Sequence, residues 1–343
     1  MLTLRGIFRI STRNLTTKQL VYAANGNPPE AIKFETVELP DKPPAGHVHV
    51  KWIAAPINPA DLNQIQGVYP VKPTLPAVGG NEGFGRVEQI GEGVTGFKVG
   101  DHVLPGRSGL GTWREYGHHK QDQLFVIDNT LPLEASAVLQ VNPPTAYRML
   151  KDFVDLKPGD VVLQNAGNSA VSRYVIQICK ILGFRSVSVV RKRDDLEKLV
   201  EDLKSLGADE VYTEEELCSR KIKTKGIKLA LNSVGGKSSL FLAAHLENNG
   251  VMVTYGGMSK QPVQCPTGPL IFKDIRLVGY WMSRWYEQEE NIQERHKMYA
   301  ELGKWIKAGQ LKTPCFEKRK ITDHVSALED GMNKFDRKQL FVF

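Results

Sequence analysis

Apolar positions along this chain switch between two periods. At Val161, Val162 and Leu163 they are contiguous, as in a strand buried on both faces. After a turn of small residues, Ala166-Gly167-Asn168-Ser169-Ala170, they recur at Val171, Val175, Ile176, Ile178, Ile181 and Leu182, which is helical spacing. Ser186 to Val190 is again β-rich. The pattern predicts strand, tight turn, helix, strand: a βαβ unit. The alternation continues with a helix over Leu196 to Leu206, ended by Gly207, strands at Glu210 to Tyr212 and Ile227 to Asn232, and a helix over Ser238 to Leu246. Strands at Val251 to Tyr255 and Ile275 to Tyr280 complete it. Such a sequence implies an α/β domain, a doubly wound parallel sheet covered on both faces.

Before residue 140 the texture differs. Residues 19–24 read as an edge strand, and the alternating run His47 to Ile53 as a half-buried one. Glycines punctuate 79–85 and 91–100, with short runs between them at Val87 to Ile90 and Val99 to Val103, and Leu124 to Ile127 closes the section. This predicts a turn-rich, β-barrel-like unit. Helices are expected at Glu134 to Leu139, Thr145 to Phe153, Glu290 to Ala308 and Val325 to Lys334. The expected organisation is a β domain over 18–140, a dinucleotide domain over 141–284, and a return to the first domain over 285–343.

A length of 343 residues favours two domains, and 41% hydrophobic with 24% charged residues is ordinary for a globular protein. No apolar stretch approaches the ~18 residues that span a bilayer. The four cysteines are scattered without a Cys-x-x-Cys pair, which argues against a disulfide framework and against a local zinc site built from cysteines. The net charge of +7 comes without a nucleic-acid motif, so it points to a phosphorylated cofactor and an acidic carrier. Arg5, Arg9 and Arg13 repeat every fourth position, and the first acidic residue is Glu30. That is the profile of a mitochondrial transit peptide, expected over residues 1–17.

The βαβ turn can seat a pyrophosphate on a helix N-terminus. The glycine fingerprint is incomplete, with Ala170 and Ser172 where glycines are usual. At the end of the second strand, where an NAD site wants an acidic residue for the ribose hydroxyls, stand Arg191, Lys192 and Arg193. Three cations there suit a 2′-phosphate, so the segment argues for NADPH.

Several segments carry a family resemblance: Ala55-Pro56-Ile57-Asn58-Pro59-Ala60-Asp61, Ile65-Gln66-Gly67-Val68-Tyr69, Pro76 to Gly83, Gly109 to Arg114, Val141 to Arg148 and Thr254 to Met258. On these the chain resembles the medium-chain dehydrogenase/reductase superfamily and, within it, the mitochondrial trans-2-enoyl-thioester reductases. The resemblance implies a GroES-like β domain beside the Rossmann domain, a homodimer in the mitochondrial matrix, and NADPH-dependent reduction of an enoyl thioester carried by acyl carrier protein or coenzyme A. It places Tyr69 at the proton-donor position. It puts Asn142 on the nicotinamide side, Asn168, Ser169, Ala170 and Val171 around the pyrophosphate, and Arg191, Lys192 and Arg193 around the 2′-phosphate. Tyr255, Gly256, Gly257 and Met258 are expected along the ribose stretch, Tyr280, Trp281 and Met282 at the nicotinamide end, and Lys338 reaching back to the cofactor. Phe272 and Trp285 are candidate walls of an acyl channel, with an aromatic core as the alternative.

No metal is expected. The zinc branch carries Gly-His-Glu where this chain has Gly80-Asn81-Glu82, asparagine is a poor zinc ligand, and no cysteine lies in 19–140. His118 and His119 are adjacent, so their rings are expected to diverge in a surface or turn role. Gly106-Arg107-Ser108-Gly109 only half-matches a nucleophile elbow, which argues against a hydrolase. The rivals are a zinc-free NADPH quinone oxidoreductase and a non-catalytic transcriptional or RNA-binding partner that has kept the fold.

Overall fold

The computed structural model describes residues 14–219, 221–334 and 337–343. Two compact units emerge, one running to Ala137 and resuming over Cys315–Phe343, the other comprising Val138–Pro314. The first opens with β1 (Asn14–Tyr22), α1 (Pro28–Ala31), β2 (Lys33–Pro40), β3 (His47–Pro56) and α2 (Pro59–Ile65). It continues through β4 (Ala77–Val78), β5 (Phe84–Ile90), β6 (His102–Pro105), β7 (Tyr116–Lys120), β8 (Leu124–Ile127) and α3 (Leu133–Ala137). The second unit contains α4 (Asn142–Lys151), β9 (Val161–Gln164), α5 (Ala170–Leu182), β10 (Arg185–Val190), α6 (Leu196–Leu206), β11 (Glu210–Thr213) and α7 (Glu214–Cys218). It ends with β12 (Ile227–Asn232), α8 (Gly236–His245), β13 (Leu246–Thr254), α9 (Thr267–Phe272), β14 (Arg276–Gly279), α10 (Met282–Glu287) and α11 (Ile292–Lys307). The chain then returns to the first unit as β15 (Phe316–Arg319), α12 (His324–Asn333) and β16 (Lys338–Val342).

Most elements fall where apolar periodicity puts them, and the differences have local causes. β1 is not an edge strand, because it lies between β2 and β4. It already pairs at Asn14↔Pro40, so residues 14–17 of the expected presequence take part in the sheet; residues 1–13 of that segment lie outside the described residues. β3 is buried along most of its length, because β5, β7 and β16 all pair with it. β6 starts at His102 and not at Val99, since a turn closed by Lys98 N–H on Asp101 Oδ2 (2.8 Å) precedes it. The return begins at Cys315, not 285, because α10 and α11 pack within the second unit: Tyr286 Oη donates to Gln140 O (2.7 Å), and Tyr147 Oη to Glu301.

Two cores fill the first unit. Val48, Val50, Trp52, Val87, Val103 and Leu124 form one, and Leu20, Tyr22, Ile65, Trp113, Leu328 and Phe341 belong to the other. In the second unit a six-stranded sheet runs β11-β10-β9-β12-β13-β14, parallel throughout. Apolar residues on its two faces meet flanking helices: Leu163, Val187, Leu231-adjacent Ala230 and Leu242 on one side, Ile176, Val190 and Leu203 on the other. Strand order reverses at β9, with β10 on one flank and β12 on the other, which is where open parallel sheets take ligands.

Candidate active site

In the second unit the residues expected to hold the cofactor follow the carboxyl ends of neighbouring parallel strands. β9 leads into the turn of Asn165 to Ser169. Ala166 takes φ +47°, and a Cβ at Gly167 would meet Ser188 Cβ at 2.8 Å, so the glycine allows the turn to press against β10. Ser169 caps α5 by accepting from Ser172 N–H (3.3 Å), and the first turn of α5 carries no acidic residue. Asn168, Ser169, Ala170 and Val171 therefore bracket a helix N-terminus whose free N–H groups favour an anion. The two departures from the glycine fingerprint are accommodated: Ala170 is the first helical residue, and the buried Ser172 hydroxyl bonds within the turn to Ser169 Oγ (2.9 Å).

β10 delivers Arg191, Lys192 and Arg193, all exposed. They are not equivalent. Arg193 Nε donates to Asp195 Oδ1 (2.5 Å), whereas Arg191 and Lys192 make no ion pair within 4 Å among the described residues. β13 ends in Tyr255-Gly256-Gly257-Met258, anchored by Tyr255 N–H on Asn232 O (3.0 Å) and Met258 N–H on Ser233 O (2.9 Å). β14 ends in Tyr280-Trp281-Met282, with Tyr280 Oη on Met282 Sδ (2.9 Å); burial raises the Tyr280 phenol well above its ordinary pKa. Asn142 starts α4 and is buried. Asn142 Nδ2, Ser233 Oγ and Tyr255 Oη are buried polar atoms with no hydrogen-bond partner among the described residues. Such atoms are costly unless something satisfies them. Together with the helix terminus and the free cations, they fit a phosphorylated dinucleotide.

Phe272 and Trp285, the candidate walls of an acyl channel, differ in exposure. Phe272 is 83% exposed on α9, while Trp285 is buried under the Arg148 guanidinium, 4.6 Å from its ring, and against Tyr286. For Trp285 the aromatic-core reading is the one the contacts describe.

In the first unit Tyr69 lies on the loop after α2, partly exposed. Gly67 ends the helix in the left-handed region (φ +77°), and Val68 N–H turns back to Asn63 O (3.0 Å). Beneath the loop is a buried polar network. Asp61 Oδ2 accepts from Asn58 N–H (2.8 Å), and Asp61 Oδ1 from Asn81 N–H (2.8 Å) and Asn81 Nδ2 (2.7 Å). Asn81 Nδ2 also reaches Gln64 Oε1 (2.8 Å), and Gln64 Nε2 donates to Val71 O (3.1 Å). Asn58 Nδ2 donates to Glu82 Oε2 (2.7 Å). Burial lifts the Asp61 carboxyl to about 6, against the pull of its hydrogen bonds and the Lys338 charge.

Lys338 has its hydrogen-bond partners within its own unit. Its ammonium donates to Asn58 Oδ1 (2.5 Å) and Ile57 O (3.5 Å). Burial lowers its pKa, and the fields of Glu82 and Asp61 oppose that fall. It serves as the cation of a cluster with two buried carboxylates.

At the Asn81 position the carboxamide is fully committed, its Oδ1 accepting from Gly109 N–H (2.6 Å). Among the described residues no group of three His, Cys, Asp or Glu side chains is arranged to hold a metal ion. His118 and His119 diverge as expected of neighbours on a strand, yet they occupy β7 and not a surface turn. His119 is buried and accepts from Trp52 Nε1 (3.2 Å), while His118 Nε2 lies 2.8 Å from His49 Nδ1, and burial pushes the His118 ring down to about 4.

Sequence reasoning had not assigned roles to Asn58, Asp61, Gln64, Asn81 or Glu82. One local signal was present: Asn58-Pro59-Ala60-Asp61 has the form of a helix start whose third helical residue reaches back to the cap.

Residues 44–129 match the family model of the alcohol dehydrogenase GroES-like domain, and residues 170–297 that of zinc-binding dehydrogenases. The chain is 64% identical over 330 residues to a mitochondrial enoyl-[acyl-carrier-protein] reductase of Caenorhabditis elegans, covering 96% of each chain. It superposes with a TM-score of 0.89, at 34% identity over 96% of this chain and 100% of the other, on a structure described as the Etr1p/NADP/crotonyl-CoA complex. A mitochondrial 2-enoyl thioester reductase Etr1p/Etr2p heterodimer from Candida tropicalis gives 0.88 at 35% identity, with 96% and 100% covered. With its GroES-like and Rossmann units and this degree of identity, the chain belongs to the mitochondrial enoyl-[acyl-carrier-protein] reductase family of the medium-chain dehydrogenase/reductase superfamily.

Proposed function

We propose that this protein reduces trans-2-enoyl thioesters to saturated acyl thioesters with NADPH, in mitochondrial fatty-acid synthesis. When bound, NADPH supplies the hydride that C3 of the enoyl group accepts. The protein's own residues do the rest. The α5 N-terminus and the Asn168-to-Val171 turn receive the pyrophosphate, Arg191 and Lys192 the 2′-phosphate, and Asn142, Ser233 and Tyr255 present donors with no other partner. As negative charge develops on the thioester oxygen, Tyr69 gives its proton to C2, completing saturation of the double bond. A phenol of reference pKa ~10 is protonated at neutral pH and is a suitable donor to an enolate.

The observation that carries this reading is the Tyr69 loop, with Val68 and Val71 on either side of the phenol both held by hydrogen bonds from α2. A quinone reductase needs no proton donor fixed in this way. The test uses the full chain with NADPH, C4 to C16 enoyl thioesters of coenzyme A and of acyl carrier protein, and a quinone. Stoichiometric NADPH oxidation with the enoyl thioesters is expected; oxidation with the quinone alone would overturn the reading.

The net charge of +7 suits an acidic acyl carrier protein. Residues 1–13 retain the basic transit-peptide profile, which suits delivery to the matrix. A homodimer is supported by β14 at the edge of the parallel sheet and by Leu270, Ile271 and Phe272 exposed on the adjacent α9. A solution mass of one chain at working concentration would remove that part.

A further inference from the structure

We propose that Gln64 is a positioning residue for Tyr69, clamping the loop that carries the phenol in an orientation dictated by the Asp61 carboxylate through Asn81. The inference rests on reading Tyr69 as the proton donor.

The loop has little apolar anchorage of its own. Val68 is 72% exposed, Pro70 and Lys72 are exposed, and Tyr69 and Val71 are partly so. Two hydrogen bonds grip it on opposite sides of Tyr69: Val68 N–H to Asn63 O (3.0 Å), and Gln64 Nε2 to Val71 O (3.1 Å). The first is a helix-end backbone bond. The second depends on one buried carboxamide pointing the right way round.

That orientation is forced by a chain of one-way bonds. An ionised carboxylate can only accept. Asp61 Oδ1 therefore turns the NH2 of Asn81 toward itself (2.7 Å), which leaves Asn81 Oδ1 facing Gly109 N–H (2.6 Å). The remaining Asn81 N–H goes to Gln64 Oε1 (2.8 Å), so Gln64 must aim its own NH2 at Val71 O. Flipping Asn81 would mismatch three contacts and flipping Gln64 two, setting donor against donor or acceptor against acceptor at each. Charge on a buried carboxylate is thereby converted into a fixed loop position without touching Tyr69.

Placement errors of about 1 Å cost reactions up to ~100-fold, so loss of the clamp should act on turnover. The test is a double-mutant cycle on the full chain with NADPH and an enoyl thioester. Gln64→Met keeps the volume and loses both hydrogen bonds. Its expected effect is a fall in kcat of about tenfold or more, with NADPH affinity unchanged and, in a Tyr69→Phe background, no further fall. An unchanged kcat overturns the proposal; so does the same fractional fall in both backgrounds, which would mark a merely structural role. Thermal melting checks folding. Should Gln64→Met not fold, Gln64→Glu enters the same cycle, since its ionised carboxylate still accepts from Asn81 but cannot donate to Val71. If Tyr69→Phe alone turns over like the parent, the donor reading fails and takes this proposal with it; if Tyr69→Phe is slow and the two losses multiply, only the clamp is refuted.

Discussion

In the second unit, the residues assigned to the cofactor sit in short stretches directly after β9, β10, β12, β13 and β14, apart from Asn142 at the start of α4. In the first unit, the Tyr69 loop is held by side chains from positions 58, 61, 64 and 81, with a cation from position 338. One unit presents ligand groups by ending strands. The other builds a small electrostatic framework from distant parts of the chain. A parallel sheet needs only backbone geometry and a helix terminus to make an anion site, whereas a positioned phenol needs partners whose polarity is fixed from one bond to the next. The first unit should therefore be sensitive to single charges, and the second tolerant of them.

The largest contrast lies in stability. Lys338→Met would leave Asp61 and Glu82 buried without their cation, and unpaired buried charge costs about 3 kcal/mol or more. A fall in unfolding free energy of that order is expected by chemical denaturation, against less than about 0.5 kcal/mol for Lys192→Gln at an exposed site. Equal effects at the two sites would break the comparison.

Next in size is cofactor choice. Arg191→Gln should lower the preference for NADPH over NADH by about tenfold, as expected for loss of one charge-assisted contact to phosphate. Arg193→Gln should do less, because Arg193 already pairs with Asp195 (2.5 Å). Ratios of kcat/KM for the two nucleotides measure both, and a larger effect at Arg193 would reverse the assignment.

The smallest expected effect is on pH dependence. Tyr22, Glu82 and Lys338 are the titratable groups whose fields meet Asp61 or its cluster, with Asn58 and Asn81 as its neutral partners. Its carboxyl is raised from 3.8 to about 6 by burial. Protonation therefore stabilises the folded state: this contribution is fully present below about 3.8 and is lost as pH rises through about 6. Activity should run the other way. A protonated Asp61 has lost its charge and part of its acceptor capacity, which weakens its hold on Asn58 and Asn81, so kcat should fall by a few-fold as pH drops below about 6. The Gln64→Met variant should lack that acid limb. A parent profile that is flat from pH 5 to 8 would contradict it.

The same contrast explains what could be read from sequence. Val161 to Leu163, the Ala166-to-Ala170 turn and the 191–193 triplet are local, so apolar period and residue type single out the expected pyrophosphate turn and cation triplet, whereas Asn142, 255–258 and 280–282 are singled out by the family resemblance. Leu196–Leu206, Ile227–Asn232 and Leu124–Ile127 match the expected elements residue for residue. The first unit hides its logic in pairings. β1 and β3 are more covered than their alternation suggests because β2, β4, β5, β7 and β16 close over them. His49 and His118 meet only because β3 and β7 pair. Lys338, expected to reach back to the cofactor, has nothing in its sequence surroundings that signals the carboxylates whose fields it meets. Family resemblance points to Tyr69, but not to the residues whose hydrogen bonds grip its loop.

The most direct measurement is a single turnover with enoyl thioester and NADPH in deuterated water, comparing the parent protein with Tyr69→Phe. The account predicts a saturated product bearing solvent deuterium at C2 from the parent, a Tyr69→Phe rate about 100-fold lower, and nucleotide affinity equal in the two. Undiminished turnover by Tyr69→Phe, or a product without solvent deuterium at C2 from the parent, would contradict it.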